Sequence, residues 1–364
     1  MKKLLFFGYT MEMGGAEKVL TDFLKVLNPH YDIDLALLKA KGELLSEIPE
    51  NVEIIEMRKS LLPYILFRYI PFFRKIKINK IVNSKDYDVA IGFFEGRSAT
   101  WVADIKKKIR KIAWVHNDVN YFNIGIGERE IEKSYKMMDA IITVSEQSKM
   151  SFSQKYGFSL DSIDVLYNLI DEEGISKKVT ENVEPNSCFT FINVGRMRPQ
   201  KRQDRLVEIA HRLKEKGYIF KIQILGDGPE EENIKRLVKE KKVEDVVELK
   251  GMVLNPYPYI KQANCVVVSS DFEGYSIAVK EALFLGKAMI STDVSGVREI
   301  FDNEKYGIVS EIDTDALCEK MEKALSGEID LSKIEDTLTT FNGSNDLIKR
   351  RLFSMIEGNL KNDI

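Results

Sequence analysis

The sequence predicts an α/β chain of two doubly wound domains, and three observations carry that expectation. Short β-branched and aromatic runs alternate with helical stretches from end to end, the pattern of parallel sheets covered by helices on both faces. The length of 364 residues suits two domains at roughly 150 residues each. One polar stretch, "DEEGISKKVTENVEPNS" from Asp171 to Ser187, interrupts the alternation and is the expected linker.

In the first half, strands are expected at "KLLFFGYT", "YDIDLALL", "VEIIEM", "DVAIGFF", "KIAWVHN" and "AIITVSE", with helices such as Ala16 to Val26 and Gln147 to Tyr156 between them. In the second half they fall at "FTFINVGR", "FKIQILGDG", "VVELKG", "CVVVSS", "AMISTD" and "GIVSEI". The residues from Gly343 onward read as a helix that returns to the first domain. The expected division is therefore residues 1–172, 173–345 and 346–364, two Rossmann-like domains facing across a cleft. Ligands on such sheets bind at the carboxyl ends of the strands.

Composition narrows the function classes. A net charge of -3 with 30% charged residues suggests neither a nucleic-acid binder nor a disordered acidic chain. Cys188, Cys265 and Cys318 are odd in number and irregularly spaced, so they form neither a disulfide framework nor a zinc pattern, and a reduced cytosol fits. The opening "MKKLLFF" gives way to Gly8 too soon for a signal peptide, and no run reaches transmembrane length.

The segment "DFEGYSIAVKEALFLGKAMISTD", Asp271 to Asp293, carries two glutamates eight residues apart. Glu273 and Gly274 follow the strand "CVVVSS", and a helix is expected to begin near Ser276 and stop before Gly286. Its first N-H groups, from about Ser276 to Val279, would favour an anion such as a diphosphate. Glu281 lies on an otherwise apolar helix, where a carboxylate needs partners that ribose hydroxyls could supply. Taken alone, the segment is better explained by a capping Glu273 and a lysine-paired Glu281.

It does not stand alone. "NVGRMRPQKRQD" follows the first strand of the second half, so Arg196 and Lys201 emerge at the same sheet edge. Two cations beside a helix start make a diphosphate site, Arg by its planar fork and Lys as a point charge. In "ILGDGPE", Gly226 and Gly228 either let backbone pass close to a ligand or form a plain strand-to-helix turn. In "GYTMEMGGAEKVL", Gly14 and Gly15 are at the wrong spacing from Gly8 for a nicotinamide fingerprint but suit a phosphate-facing loop. Asp32 and Asp34 have DxD spacing but read as strand ends or turns, and no carboxylate metal cluster emerges.

"GGAEKVL", "VGRMRPQKRQD", "LGDGP", "FEGYSIAVKEAL" and "VSGVREI", in this order across both halves, resemble the family 4 glycosyltransferases of the GT-B fold. The resemblance implies that Glu273 contacts sugar hydroxyls, that Glu281 holds the nucleotide ribose, and that Arg196 and Lys201 bind the diphosphate. It implies that His116, in "WVHND", lies by the transferred sugar; otherwise His116 is a strand-end histidine. The catalytic set is then Glu273, His116, Arg196 and Lys201. The donor-binding set is Gly14, Gly15, Arg196, Lys201, Gly226, Gly274, Tyr275, Ser276, Ile277 and Glu281. Three positions depart from the family pattern: Tyr275 stands where Phe is usual, Ser276 where a small residue or Pro is common, and Arg202 where Gly often follows the lysine. Glu299 matches a further family glutamate, though an exposed helix-start carboxylate accounts for it equally well.

The function implied is a retaining transfer of sugar from a nucleoside-diphosphate donor, a UDP-sugar by family frequency, to a glycan or lipid-linked acceptor in bacterial cell-surface polysaccharide assembly. No metal and no other cofactor is expected. The alternatives are a non-catalytic partner subunit of the same fold, or a sugar-nucleotide epimerase or phosphorylase, since fold does not fix reaction. One segment adds a partner. Met57 to Lys85, "MRKSLLPYILFRYIPFFRKIKINKIVNSK", holds eight basic residues, no acidic one, and many Leu, Ile, Phe and Tyr. Such a stretch either lies on an anionic membrane, through Arg68, Arg74, Lys75 and Lys77, or is a core helix whose cations reach out to water. The first reading places the chain in the cytoplasm, peripheral on the inner face of the cell membrane.

Overall fold

The computed structural model describes residues 1–57, 71–121, 127–302, 304–334 and 345–359. The chain divides into two compact units, Met1–Leu169 with Asn345–Ile364, and Ile170–Ser344. Each is built on one all-parallel sheet.

In the first unit the strands are β1 (Lys3–Gly8), β2 (Asp32–Leu37), β3 (Glu53–Glu56), β4 (Val89–Phe93), β5 (Arg110–Val115), β6 (Ala140–Thr143) and β7 (Ile163–Val165). Their order is β3-β2-β1-β4-β5-β6-β7. Parallel strands covered on both faces read as continuous apolar runs, and β1 obeys this: Leu4, Leu5, Phe6 and Phe7 are all fully buried. The covering helices are α1 (Gly15–Leu27), α2 (Pro71–Asn83), α3 (Arg97–Ala103), α4 (Glu128–Tyr135) and α5 (Glu146–Tyr156). Phe6, Phe23, Phe93 and Trp114 pack as tilted and edge-on rings at 4.6 to 6.3 Å, binding α1 to the sheet centre.

In the second unit, α6 (Glu172–Lys178) precedes β8 (Thr190–Val194), α7 (Gln203–Glu215), β9 (Lys221–Leu225), α8 (Glu231–Glu240) and β10 (Val247–Gly251). There follow α9 (Tyr257–Gln262), β11 (Cys265–Val268), α10 (Ile277–Phe284), β12 (Met289–Thr292), α11 (Val297–Ile300), β13 (Ile308–Ser310) and α12 (Thr314–Ser326). The sheet order is β10-β9-β8-β11-β12-β13. In each sheet the winding reverses beside the first strand, between β1 and β4 and between β8 and β11. A crevice opens at such a reversal because neighbouring loops leave in opposite directions, so these two strand edges are the ligand positions of the fold.

Three details differ from the sequence reading. The polar stretch expected as a linker contains α6, capped by Asp171 Oδ1 accepting from Gly174 N at 2.9 Å. Only Ile175 of that helix is buried, so hydrophobic periodicity could not announce it. The short strand β7, "IDV", went unrecognised because three residues give no pattern. Asp34 lies inside β2 rather than at a strand end or turn. It is buried and accepts from Lys85 Nζ at 2.7 Å and from the Tyr87 hydroxyl, which meets its hydrogen-bonding needs. The last helix, α13 (Asn345–Glu357), buries Ile348, Leu352, Met355 and Ile356. Within the first unit its Glu357 accepts from the Tyr31 hydroxyl at 2.9 Å, and its Phe353 stacks on Tyr31.

Candidate functional site

At the β8/β11 edge the chain gathers the charged residues of the second unit. β8 ends at Val194, and the Gly195-to-Met197 loop is zipped to the turn after β9. Gly195 N donates to Leu225 O at 2.9 Å, Met197 N to Asp227 O at 2.6 Å, and Glu230 N to Met197 O at 3.1 Å. Gly226 and Gly228 make this zipper feasible. Both have positive φ, 136° and 151°, and a Cβ on either would lie 2.1 Å from Gly195 O or 2.3 Å from Met197 O. The backbone that passes close to these glycines is thus the Arg196 loop itself. Arg196 is half-buried, and among the described residues its guanidinium makes no ion pair.

Lys201 ends a short 3-10 turn, Pro199–Lys201, ahead of α7. Its Nζ meets Glu273 Oε1 at 2.5 Å, and the same oxygen accepts from Ser270 Oγ at 2.8 Å. Glu273 is only 7% exposed, so it depends on these partners. Ser276 caps α10 by position, yet its side chain makes no capping hydrogen bond. Glu281, on α10 and likewise buried, accepts from the Tyr257 hydroxyl at 3.1 Å. Burial lowers the amine of its neighbour Lys280 to about 7, with Glu172 pulling it back up. Gly274 and buried Tyr275 pack under Gly296, where a Cβ would lie 2.9 Å from the Tyr275 ring. Ile277 opens α10, and Glu299 sits half-buried on α11. The structure therefore gathers Lys201 and Glu273 in direct contact on loops beside β8 and β11. Glu281 is a turn further into α10.

In the first unit, Gly14 caps α1 in extended conformation and Gly15 faces open space, with no atom within 4 Å of a Cβ there. His116 follows β5. It is buried against Phe93, ring centroids 4.1 Å apart, and stacks on Trp114 at 5.4 Å. Neither ring nitrogen has a partner among the described residues, and burial lowers its pKa to about 3, so the imidazole is neutral. Its backbone N-H donates to Glu95 at 3.2 Å, and Asn117 Nδ2 donates to the same carboxylate at 2.6 Å. Burial raises the Glu95 pKa while these donors lower it. The Tyr9 hydroxyl donates to Glu95 O at 3.0 Å, and the Tyr135 hydroxyl accepts from Gly96 N at 3.0 Å, so two tyrosines fasten the loop after β4.

Sequence reasoning missed Glu95, Tyr257 and Asp271, the supports of His116, Glu281 and the Glu273 loop. "FFEG" at the end of an apolar run was the one available signal for Glu95. Among the described residues, no group of three or more His, Cys, Asp or Glu side chains could hold a metal ion.

The basic aromatic segment is corrected in part. Arg74 does not face outward: it is 6% exposed, and its guanidinium donates to Asp104 Oδ2 at 2.6 Å and Glu130 Oε1 at 3.1 Å. A cation with two internal carboxylates is held inside the unit, because leaving the pair would strand a buried charge. Lys75 is half-exposed, 3.6 Å from Asp104, and Lys77 has partners within the protein. Arg68 lies outside the described residues. The outward face of α2 instead carries Phe72, Phe73 and Ile76, which are 65%, 42% and 52% exposed. Among the described residues no helix is long and apolar enough to cross a membrane.

Comparison with known proteins gives two family matches that together span nearly the whole chain. Residues 13–173 match the model of Glycosyltransferase Family 4, and residues 174–337 match Glycosyl transferases group 1. A relative from Campylobacter jejuni is 29% identical over 328 residues, covering 86% of this chain and 87% of its own. It is an N-acetylgalactosamine-N,N'-diacetylbacillosaminyl-diphospho-undecaprenol 4-alpha-N-acetylgalactosaminyltransferase. Among solved structures, the lipopolysaccharide outer core galactosyltransferase WaaB aligns with a TM-score of 0.74 at 20% identity, over 98% of this chain and 100% of that one. HepE of Anabaena, solved with UDP and glucose, aligns with a TM-score of 0.71 at 17% identity, over 99% of this chain and 98% of that one.

Proposed function

From the premise that the chain is a glycosyltransferase of the family 4 and group 1 type with the GT-B fold, we propose a retaining transferase that uses a nucleoside-diphosphate sugar, a UDP-sugar, as donor. The acceptor is a glycan or lipid-linked glycan of bacterial cell-surface polysaccharide assembly. The Campylobacter relative, whose name specifies a diphospho-undecaprenol-linked acceptor, supports that choice. The observation that carries the reading is the Lys201–Glu273 contact at the β8/β11 edge, with Arg196 half-buried and without an ion pair among the described residues.

Transfer breaks the bond between the sugar's anomeric carbon and the β-phosphate oxygen, and forms one to an acceptor hydroxyl oxygen. Positive charge grows on the sugar ring and negative charge on the departing diphosphate, so fixed cations at the diphosphate supply the largest stabilisation. Arg196 and Lys201 take that role, the N-terminus of α10 adds its N-H groups, and no metal is required of the site. The hydroxyl proton passes to the leaving phosphate, which leaves the protein needing no nucleophile. When the diphosphate engages Lys201, Glu273 is released toward the sugar hydroxyls. Glu281, steadied by Tyr257, accepts from the ribose. His116, neutral and with both nitrogens open, hydrogen-bonds the transferred sugar. Incubation with a panel of nucleotide sugars, with and without lipid-linked acceptors, tests the reading through nucleotide release and the anomeric configuration of the product. Inverted product, or turnover abolished by a chelator, would refute the retaining, metal-free mechanism.

A lipid-linked acceptor is presented at a membrane face, and the outward side of α2 suits one. Phe72, Phe73 and Ile76 would enter the headgroup region, with Lys75 and Lys80 exposed beside them. We place this contact on the cytoplasmic leaflet. Co-sedimentation with anionic vesicles at low salt, lost in a Phe72→Ser, Phe73→Ser variant, checks it; equal sedimentation of both proteins removes it.

A further inference from the structure

Arg202 stands in a left-handed conformation, φ 51° and ψ 43°, where glycine is favoured. An arginine kept there must do something with its side chain that glycine could not. Its guanidinium spans two elements: Nε donates to Asp204 Oδ1 at 3.0 Å on α7, and Nη1 donates to both oxygens of Asp271 at 3.2 Å on the loop after β11. Arg205, buried, reaches the same loop, with Nη2 to Asp271 Oδ1 at 2.9 Å and Nη1 to Ser269 O at 2.7 Å. Two further bonds cross in parallel, Asp271 N to Gln200 O and Ser269 Oγ to Lys201 O, each 2.8 Å. All of these except the Arg202–Asp204 bond tie the Lys201 loop, or the start of α7 that follows it, to the loop bearing Glu273.

We infer that Asp271, gripped by Arg202 and Arg205, is a positioning clamp that fixes the spacing of Lys201 and Glu273 for donor turnover. The inference rests on the reading of those two residues as diphosphate and sugar ligands. Their contact spans two flexible side chains on separate loops, and relative motion of the loops would spread it over many geometries. A planar guanidinium on a carboxylate removes that freedom because it fixes direction as well as distance. Arg202, just ahead of α7, and Arg205, in its first turn, both reach Asp271, and two such attachments restrain sliding and rotation of the loop after β11. The clamp acts through Lys201 and Glu273 and need not touch the donor.

The test compares kcat, donor KM and melting temperature for Arg202→Gly, Arg202→Lys, Asp271→Asn and Lys201→Ala, singly and combined. Arg202→Gly keeps the left-handed backbone without strain, so its melting temperature stays close to wild type. Its kcat is expected to fall roughly 10- to 100-fold, the cost of a misplacement of about 1 Å in a catalytic constellation. Arg202→Lys recovers part of the loss, and Arg202→Gly adds little once Asp271→Asn or Lys201→Ala is present. Wild-type kcat in Arg202→Gly and Asp271→Asn, while Lys201→Ala is impaired, overturns the clamp and leaves the donor site standing. Losses that multiply independently, or that follow melting temperature without rescue by lysine, also overturn it. Wild-type turnover in Lys201→Ala removes the donor-site reading and the clamp together.

Discussion

Replacing His116 by glutamine should flatten the acid side of the stability profile. The imidazole is packed against Phe93 and Trp114 with both nitrogens unpartnered among the described residues, and burial lowers its pKa to about 3. In the unfolded chain the same group titrates near ~6.5. Below that value the unfolded chain takes a proton that the folded chain refuses, so stability falls as pH drops from about 6.5 toward about 3. Each pH unit in that window is worth about 1.4 kcal/mol. Between pH ~7 and pH ~5 the native protein should therefore lose about 2 kcal/mol through His116 alone. Every other titrating group is shared with His116→Gln, so the difference between the two proteins isolates the histidine. The assay is urea unfolding of both at the two pH values, with aromatic fluorescence to follow the first unit. Parallel pH profiles would refute the argument, because the imidazole would then be charged or partnered in the folded state. The same result would remove the neutral hydrogen-bonding role assigned to it.

Arg196→Ala and Lys201→Ala should each lower turnover by roughly 30- to 1,000-fold, the loss of about 2 to 4 kcal/mol of leaving-group stabilisation, and wild-type kcat in either would exclude its role. Glu281→Gln should weaken binding of the free nucleoside diphosphate, whereas Glu273→Gln should leave it nearly unchanged and reduce transfer; calorimetry with nucleotide alone decides, and equal losses would sink the assignment. Removing Lys201 leaves the buried Glu273 carboxylate with Ser270 as its side-chain partner among the described residues, so Lys201→Ala should lose stability of roughly 1 to 3 kcal/mol and Glu273→Gln in that background should restore part of it, read as melting temperature. Glu95→Gln should lower kcat without changing nucleotide affinity, since it loosens the His116–Asn117 turn in the unit that does not carry Lys201.

The central strands were legible because a parallel strand buried on both faces is written as an apolar run, as in β1, β4 and β11, whereas the edge strands β3 and β10, only partly buried, were read from short β-branched runs. Arg196, Lys201 and Glu273 drew attention because each follows a strand-like run ahead of a helix start, and Glu281 because it is a charge on an otherwise apolar helix. Their supports were not, because their partners are remote in sequence: Asp271 meets Arg202 across 69 positions and Glu281 meets Tyr257 across 24. Arg74 shows the same limit from the other side. Composition counted it with the outward cations, and its direction was decided by Asp104 and Glu130, 30 and 56 positions away. Gly226 and Gly228 were read as letting backbone pass close to a ligand or as a plain turn; what lies against them in the structure is the loop of Gly195 and Met197, which a sequence cannot tell from a ligand.

The two units solve the problem of a buried charged group in opposite ways, and the contrast bears on mechanism. Glu95 is satisfied by donors that do not move, a backbone N-H and the Asn117 amide, so it can hold the His116 turn rigid. Glu273 is satisfied by Lys201, whose flexible stem and single charge can be drawn to a phosphate. On the proposed function, in which Lys201 binds the leaving diphosphate, a resting carboxylate neutralised by that same cation would cost little to keep folded without donor. On the same proposal, release of Glu273 would be conditional on diphosphate being present, so sugar contacts would form only on a complete donor. The proposed arginine clamp on Asp271 would make this exchange a change of partner and not of position, since the hydrogen bonds tying the loops that carry Lys201 and Glu273 do not involve the Lys201 amine.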